Sequence, residues 1–275
     1  MSHSSLVVRF GVGSVAAPLV GLALVPVSAG PPPLVTDRPD QTESALVVPR
    51  RSVQVETGWV FSRDDEDGVR TRTSDFLNTL VRVGLFERLE LRAGWSGYLD
   101  QDVSLPGPDV EAEGIGDTSI GTKLHLRRER GGLPELSLIA GLSLPTGADD
   151  VSSDGTDPAV RLSAAHTLTE RLGLGYNLGV AWETLDGGNR SDDTLSRYLY
   201  TAALGIGVSD RVGAFVELFG DAPASDRGGP AHSVDGGVTF LLLDNVQLDA
   251  SAGIGLSEEA DDWFVSAGLS LRLPE

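Results

Sequence analysis

A period-two alternation of apolar and polar residues recurs twelve times along this chain, and it limits the fold more than any other feature. In the stretch RLELRAGWSGYL, Leu91 and Trp95 share the apolar phase, while Glu90, Arg92 and Tyr98 share the other. This period is typical of β-strands with two unlike faces. Most segments hold ten or more residues, close to the about 9–11 that cross a bilayer at a tilt, whereas soluble strands average about 5–6. The segments span approximately residues 52–62, 74–85, 88–99, 117–127, 135–144, 159–168, 171–183, 195–208, 211–220, 233–242, 245–256 and 263–273.

The links between these segments alternate strictly between short and long. The five short links include FER at 86–88 and SDR at 209–211, and the six long ones include those around 63–74 and 100–116. Outer-membrane barrels have short periplasmic turns, long external loops and an even number of strands. The pattern therefore predicts an all-β fold: an antiparallel transmembrane β-barrel of about 12 strands, with short periplasmic turns and long acidic external loops, over residues 51–275.

Aromatic residues indicate which face of the strands meets lipid. Five of them fall in the apolar phase towards the long-loop ends of their strands, and they predict a girdle at one membrane interface: Trp59, Trp95, Trp182, Tyr198 and Trp263. The opposite face is rich in glycine, which weakens a solvated strand but eases curvature inside a closed barrel. The apolar face is therefore expected to point outward and the polar face inward.

The inward phase carries charges of both signs. These side chains either pair across neighbouring strands and fill the lumen, or line a polar pore. The candidate pore-lining residues are Glu56, Asn78, Arg82, Glu90, Arg92, Lys123, Asn177, Arg197, Glu217, Asp235 and Asp249. Eight-stranded barrels are filled and those with sixteen or more strands are open, so twelve strands predict a narrow or partly plugged passage.

The N-terminal region divides into two parts. Residues 1–29 combine Arg9, an apolar run without acidic residues and a small-residue site ending at Ala29, which together predict a secretory signal peptide. Residues 30–50 form a periplasmic segment that is too rich in proline to be a regular helix. Its charged residues could pair with inward side chains: Asp37, Arg38, Asp40 and Glu43. The segment is therefore either a plug inside the barrel or a flexible periplasmic tail.

A set of ordered motifs is similar to one known family. The motifs are TDRPDQTES followed by VPRRSVQVETGW, GIGDTSIGTKLHL, LSLPTG, LGYNLGVAWE, AFVELFG, VDGGVTFLLLDNVQLDASAGIGL and DDWFVSAGLSLRL. Over residues 36–273 the chain resembles the outer-membrane transporter family associated with the meta pathway of phenol degradation. The resemblance implies a barrel in the outer membrane of a Gram-negative bacterium that passes small, aromatic or hydrophobic molecules. One departure is the ending LSLRLPE, which lacks the terminal aromatic residue that such barrels often carry.

An outer-membrane enzyme is the first alternative. The motif expected of a barrel lipase is His-x-Ser. In this chain, His125, His166 and His232 are followed two positions later by Arg, Leu and Val, so the motif is absent. The rim pair Asp100 and Asp102 has no obvious histidine beside it, so no nucleophile with an oriented base can be assembled. The sequence predicts no enzyme, no catalytic residue and no cofactor.

A structural barrel with a filled lumen is the second alternative. The acidic loops RDDEDG, PDVEAEG, ADDVSSDG and SEEADD could bind divalent cations that bridge to anionic lipopolysaccharide. None of them matches a defined calcium loop, so no metal site is assigned. The net charge of -19 argues against nucleic acid as a partner. The expected partners are outer-membrane lipid, lipopolysaccharide and small-molecule solutes, and the favoured function is passive passage of small molecules.

Overall fold

A computed structural model describes residues 32–185, 193–225 and 228–274. The predicted signal peptide, residues 1–29, lies outside the described residues. Within the described ranges, no helix is long and apolar enough to span a membrane. The strands are β1 Val53–Glu66, β2 Val69–Phe86, β3 Leu89–Trp95, β4 Tyr98–Ser104, β5 Val110–Ile115, β6 Thr118–Arg127, β7 Glu135–Leu144, β8 Asp157–Thr167, β9 Leu172–Leu185, β10 Asp193–Gly207, β11 Val212–Pro223, β12 Ala231–Leu243, β13 Val246–Gly255 and β14 Trp263–Leu273.

These strands form one closed antiparallel barrel of twelve strands. Neighbours in sequence pair in order from β6 to β14, and β14 and β2 flank β1 to close the sheet. The strand β3 pairs with residues 79–86 of β2 and with β6, whereas β4 pairs with residues 70–76 of β2 and with β5. The pairs β3/β4 and β5/β6 are thus two interrupted strands. The predicted barrel and its strand number are confirmed.

The interruption at Ser96 and Gly97 corrects one prediction. Gly97 has φ +88°, and a Cβ there would lie 2.3 Å from the carbonyl oxygen of Phe76. The break shifts the alternation by one residue, so Tyr98 lies on the outer face beside Phe76, and its hydroxyl donates to Glu113 at 2.8 Å. The prediction that Tyr98 points inward is therefore wrong, because the period does not continue across a glycine with positive φ.

The predicted long link at 63–74 is mostly strand. The strands β1 and β2 pair up to Glu66 and Val69, and only Asp67 and Gly68 form the turn, with φ of 53° and 81°. Positive φ at both central residues is the geometry of a type I′ hairpin turn, which favours Asp-Gly. The predicted link at 100–116 is likewise a hairpin of β4 and β5. Both hairpins therefore extend the barrel wall at the end that carries the long loops, called here the loop end; the opposite end is the turn end.

The two faces of the barrel are inverted relative to a soluble protein. Among the described residues, 31 polar or charged residues are buried but only nine apolar ones. Large apolar side chains are instead exposed on the outer face, for example Leu178, Val216 and Val238 at 62, 55 and 53%. An apolar outer surface and a polar interior are what a barrel in a bilayer requires.

Asp117 anchors the loop between β7 and β8 at the loop end. Its buried carboxylate accepts hydrogen bonds from the backbone amides of Thr146 and Gly147, at 3.0 and 2.8 Å. It also accepts bonds from the Ser152 hydroxyl at 2.8 Å and the Ser153 amide at 3.1 Å. The Gly-Asp motif at 116–117 therefore supplies the acceptor, and the Pro-Thr-Gly motif at 145–147 supplies two of the donors.

Replacing Asp117 with alanine is expected to free this loop without opening the barrel. Four donors lose their acceptor, and an unsatisfied buried donor costs about 1–3 kcal/mol. Hydrogen exchange of the amides in residues 145–156 should become faster, whereas amides of the strands should keep their protection. Asp154→Asn in the same loop is the control, because Asp154 is exposed. Unchanged exchange in the Asp117→Ala variant would contradict the anchoring role.

Candidate functional site

Residues 32–49, which we call the lumen segment, lie inside the barrel. The segment has no regular secondary structure. Its side chains are nevertheless among the most buried of the described chain, with Thr36, Asp37, Asp40 and Thr42 at 0% exposure. Leu46 is exposed at 42%, and Pro32 and Pro33 at the start of the segment are exposed as well. The segment therefore occupies the space that a solute would have to cross.

The lumen segment follows the wall of the barrel strand by strand. Moving from residue 32 towards β1, successive residues contact β14, β13, β11, β9, β7 and β3. The contacts join Pro33 to Arg272, Arg38 to Asp249, Gln41 to Glu217, Glu43 to Asn177, Ala45 to Ser137 and Val48 to Glu90. The chain thus makes nearly a full circuit of the inner wall before it joins β1.

Side chains of the wall satisfy the backbone of the lumen segment. Four of its amides donate to wall acceptors at 2.6–2.7 Å; they belong to Asp37, Gln41, Glu43 and Val48, and the acceptors are Glu56, Glu217, Asn177 and Glu90. Asn177 binds both backbone groups of Glu43, since its amide nitrogen also donates to the Glu43 carbonyl at 3.0 Å. A buried irregular chain needs such partners, because it lacks the hydrogen bonds of a helix or sheet. The inward polar residues therefore supply the hydrogen-bond partners that the backbone of this segment needs.

A cluster of charges, the ionic clamp, holds Asp37 of the lumen segment. Its seven members are Asp37, Glu43, Glu56, Glu90, Arg82, Arg92 and Lys123. The Asp37 carboxylate lies 3.1 Å from Arg82, 2.7 Å from Arg92 and 3.0 Å from Lys123. All three cations are at most 9% exposed. Ions buried to this degree are tolerated only when paired, so the cations and Asp37 depend on one another.

Wall carboxylates complete the clamp. Glu90 receives two bonds from Arg82, at 2.9 and 3.0 Å, and Glu56 receives one at 3.0 Å. Glu43 lies 2.9 Å from Arg92, and Arg161 adds a contact to it at 3.3 Å. The clamp therefore links β1, β2, β3 and β6 to the lumen segment by charge-assisted bonds, which are the stronger kind.

Glycines on the inner wall make room for Arg38. A Cβ on Gly58 or Gly268 would come within 2.2 or 2.3 Å of its guanidinium group. The guanidinium reaches the carbonyl oxygen of Ala267 at 3.2 Å and the carboxylate of Asp249 at 3.4 Å. The glycine-rich inner face thus accommodates this part of the lumen segment as well as easing curvature.

The opposite sector of the wall is acidic. Glu217 on β11 and Asp235 on β12 are paired directly across the two strands, and Asp40 of the lumen segment lies beside them. Glu217 accepts bonds from the Gln41 amide at 2.6 Å and the Thr42 hydroxyl at 2.5 Å. The carboxylates of Asp40 and Asp235 are without hydrogen-bond donors in the described chain. This sector holds the lumen segment without a cation of its own.

All eleven candidate pore-lining residues face the interior. Glu56, Arg82, Glu90, Arg92 and Lys123 meet in the ionic clamp, whereas Glu217 and Asp235 meet in the acidic sector. Asn177 and Asp249 bind the lumen segment separately, and Asn78 is buried opposite Gly58. Arg197 lies nearer the loop end and forms an ion pair with Asp221. The alternation therefore identified the inner face but not the division into two sectors.

The candidate girdle residues lie on the outer face. Phe61 links two of them, with ring centroids 6.3 Å from Trp59 and 5.4 Å from Trp263. Tyr198 is 54% exposed. Trp95 and Trp182 lie in the outward phase of β3 and β9. Trp95, Trp182, Tyr198 and Trp263 stand in the halves of their strands that lead to the loop end, whereas Trp59 stands at the middle of β1.

Two serines that bind the lumen segment were not singled out from the sequence. Ser137 and Ser163 donate to carbonyl oxygens of Ala45 and Glu43. Their inward phase was readable, but a serine in a strand carries no signal of its own. Only their position opposite the lumen segment gives them a role.

The lumen has a polar lining and is occupied by an irregular segment of the same chain. Within residues 32–185, 193–225 and 228–274, no three Asp, Glu or His side chains are arranged to hold a metal ion. The interior also contains aromatic rings, with the centroids of Phe219 and Phe264 5.9 Å apart. These rings lie on the same inner face as the charges and provide apolar surface within the passage.

Comparison with solved structures places the fold among outer-membrane barrels. The COG4313 outer membrane channel from Pseudomonas putida F1 matches with a TM-score of 0.63 and 15% identity, over 83% of this chain and 98% of that one. The β domain of the Bordetella autotransporter BrkA matches with a TM-score of 0.53 and 15% identity, over 80% and 98%. The translocator domain of NalP from Neisseria meningitidis matches with a TM-score of 0.51 and 14% identity, over 80% and 87%. At these identities the likeness is one of fold.

A family assignment comes from the sequence itself. No protein of curated function matches the chain significantly. The family described as "Putative MetA-pathway of phenol degradation" matches residues 36–273, a range that begins in the lumen segment and ends at the last residue of β14. The predicted resemblance is thereby confirmed, and the chain belongs to this family.

Proposed function

We propose that this protein is an outer-membrane channel of a Gram-negative bacterium through which small molecules pass passively, with the lumen segment as its plug. The observation that carries the proposal is the lumen segment itself, a coil held in the passage by side chains rather than by a sheet. A structural filling would be expected to consist of wall side chains alone, as in eight-stranded barrels. A coil tethered at one end can leave the passage while the barrel stays intact.

Small aromatic or hydrophobic compounds are the proposed solutes. The family description names phenol degradation, and the protein with the TM-score of 0.63 is described as an outer membrane channel. The apolar rings of Phe219 and Phe264 on the inner wall suit such solutes. The proposed surroundings are outer-membrane lipid and lipopolysaccharide, and the proposal involves no catalysis and no cofactor.

A reversible disulfide lock between the lumen segment and the barrel wall tests whether the segment blocks the passage. The chain contains no cysteine, so Ala45→Cys with Ser137→Cys introduces a single pair where the Ser137 hydroxyl contacts the Ala45 carbonyl. In planar bilayers, this double variant should be closed when oxidised and should conduct after reduction. Ser137→Cys alone is the control, and its conductance should not respond to the oxidant.

The other outcomes discriminate between the candidate functions. Conductance that is equal in the locked and reduced forms would show a channel that the lumen segment does not block. No conductance in either form would favour the structural barrel, whose support here is the dense set of contacts in the lumen. For the solute class, proteoliposomes should release an aromatic acid faster than an aliphatic acid of equal charge.

A further inference from the structure

Three acidic residues of the lumen, Asp40, Glu217 and Asp235, have no cationic partner among the described residues, and we call them the acidic triad. The ionic clamp combines its carboxylates with Arg82, Arg92 and Lys123, but no cation of the described chain lies within ion-pair distance of the triad. Asp40 is fully buried, and both of its carboxylate oxygens lack a hydrogen-bond donor. Both carboxylate oxygens of Asp235, which is 5% exposed, also lack a donor.

The register of the wall brings two of these carboxylates together. Glu217 and Asp235 are directly opposite on β11 and β12, and like charges in this position repel. The Gln41 amide and the Thr42 hydroxyl donate to Glu217 at 2.6 and 2.5 Å, which brings the adjoining Asp40 to the same part of the wall. A proton on one of the three carboxyl groups lowers the repulsion and supplies a donor, because a carboxylate can only accept.

Every strand packed around the triad leaves its charge uncompensated. The neighbouring cations are engaged elsewhere, since Arg38 contacts Asp249 and Arg197 contacts Asp221. On β10 the facing group is the neutral Thr201, whose hydroxyl lies 2.6 Å from that of Thr42. Asp37 and Glu43, the other acids of the lumen segment on either side, are held by the clamp. Protonation lowers the charge of buried carboxyl groups that have no cationic partner.

We propose that the acidic triad is a proton-binding site that fastens residues 40–42 of the lumen segment to the barrel wall. When the triad carries its proton, Asp40 can lie against Glu217 and Asp235, and Gln41 and Thr42 keep their bonds to Glu217. When the proton leaves, three negative charges face one another and the segment moves away from β11 and β12. The proposal rests on the proposed function, because it describes how the plug of that channel is released.

The sign of the pH dependence follows from proton linkage. The fastened state binds more protons than the released state, so acid favours fastening and alkali favours release. Each extra proton changes the equilibrium by about tenfold per pH unit between the proton affinities of the two states. The ionic clamp differs from the triad, because it pairs its carboxylates with two arginines and a lysine.

A single introduced thiol can report release directly. Ala45 is 2% exposed beside the wall, so the rate at which a membrane-impermeant thiol reagent labels Ala45→Cys measures how often the segment leaves. Gly107→Cys, at a loop position with nothing within 4 Å, gives the intrinsic reactivity of a thiol at each pH. The ratio of the two rates should rise as pH rises, by up to about tenfold per unit.

Neutral variants of the triad test whether this site causes the pH dependence of labelling. Asp40→Asn with Asp235→Asn should flatten the pH dependence and keep labelling slow at all pH values. Asp67→Asn with Asp154→Asn removes the same charge at exposed turns with positive φ and should leave the dependence unchanged. A ratio that does not change with pH in the parent, or a dependence that persists in the Asp40 and Asp235 variant, would overturn the proposal. Because labelling needs no ion flow, a pH-dependent ratio in a protein that never conducts would support the triad and reject the channel.

Discussion

Arg82→Ala is expected to lower the free energy of unfolding of the barrel by about 3–5 kcal/mol, the usual cost of removing one partner from a buried ion pair. Arg82 is 1% exposed and lies 2.9–3.1 Å from carboxylates of Asp37, Glu56 and Glu90. It also donates to the Leu46 carbonyl at 3.1 Å. Without it, the four carboxylates of the clamp share only its two remaining cations. Urea unfolding in lipid vesicles, followed by the fluorescence of the four tryptophans, measures the change.

Two comparisons make this result specific to the clamp. Arg63→Ala removes an arginine of the same sheet whose ion pair with Asp65 is about one third exposed, and pairs at the surface contribute about 0–1 kcal/mol. Arg82→Lys keeps the charge but loses the forked geometry, so its loss should fall between the two. If Arg82→Ala cost no more than Arg63→Ala, the clamp would not stabilise the fold.

Asp37→Ala is expected to release the lumen segment while the wall remains closed. Asp37 is the member of the segment that contacts Arg82, Arg92 and Lys123 together. A loss of about 3–5 kcal/mol would shift the equilibrium between the bound and released segment by about two to four orders of magnitude. Labelling of Ala45→Cys should accelerate accordingly, and conductance in planar bilayers should rise.

The matched control for this variant lies in the same segment. Leu46→Ala truncates a side chain that is 42% exposed and holds no ion pair, so labelling and conductance should stay near those of the parent. Asp37→Asn offers a second form of the test, because it keeps the shape of the side chain and removes only the charge. Slow labelling in both Asp37 variants would mean that the backbone bonds alone retain the segment.

The barrel could be predicted from sequence because alternation is a local property. Each strand shows its two faces without reference to its partners, and Glu90, Arg92 and Lys123 were placed inward on that basis alone. The rule fails where the backbone changes phase, as at Gly97, since a positive φ is not visible in the pattern of polarity. The Asp67-Gly68 pair did carry a hairpin signal. The strands around it were nevertheless read as loop, because they extend beyond the apolar, lipid-facing part of the barrel and are polar.

The division of the lumen into a clamp and an acidic sector could not be predicted. It depends on which strands face one another across the closed barrel and on the path of a coil without periodicity. Asp37 and Asp40 are three positions apart in sequence and chemically alike, yet one is surrounded by cations and the other by carboxylates. Composition and spacing cannot distinguish them; only the closed geometry can.

The circuit of the lumen segment around the wall limits how the segment can leave it. One end continues into β1 and cannot leave the barrel, so full withdrawal frees the end nearest residue 32 first. From that end, the ion pairs of Asp37 in the clamp come before the contacts of residues 40–48. Residues 40–42 can therefore move locally while the clamp stays closed, whereas emptying the passage requires the clamp to open.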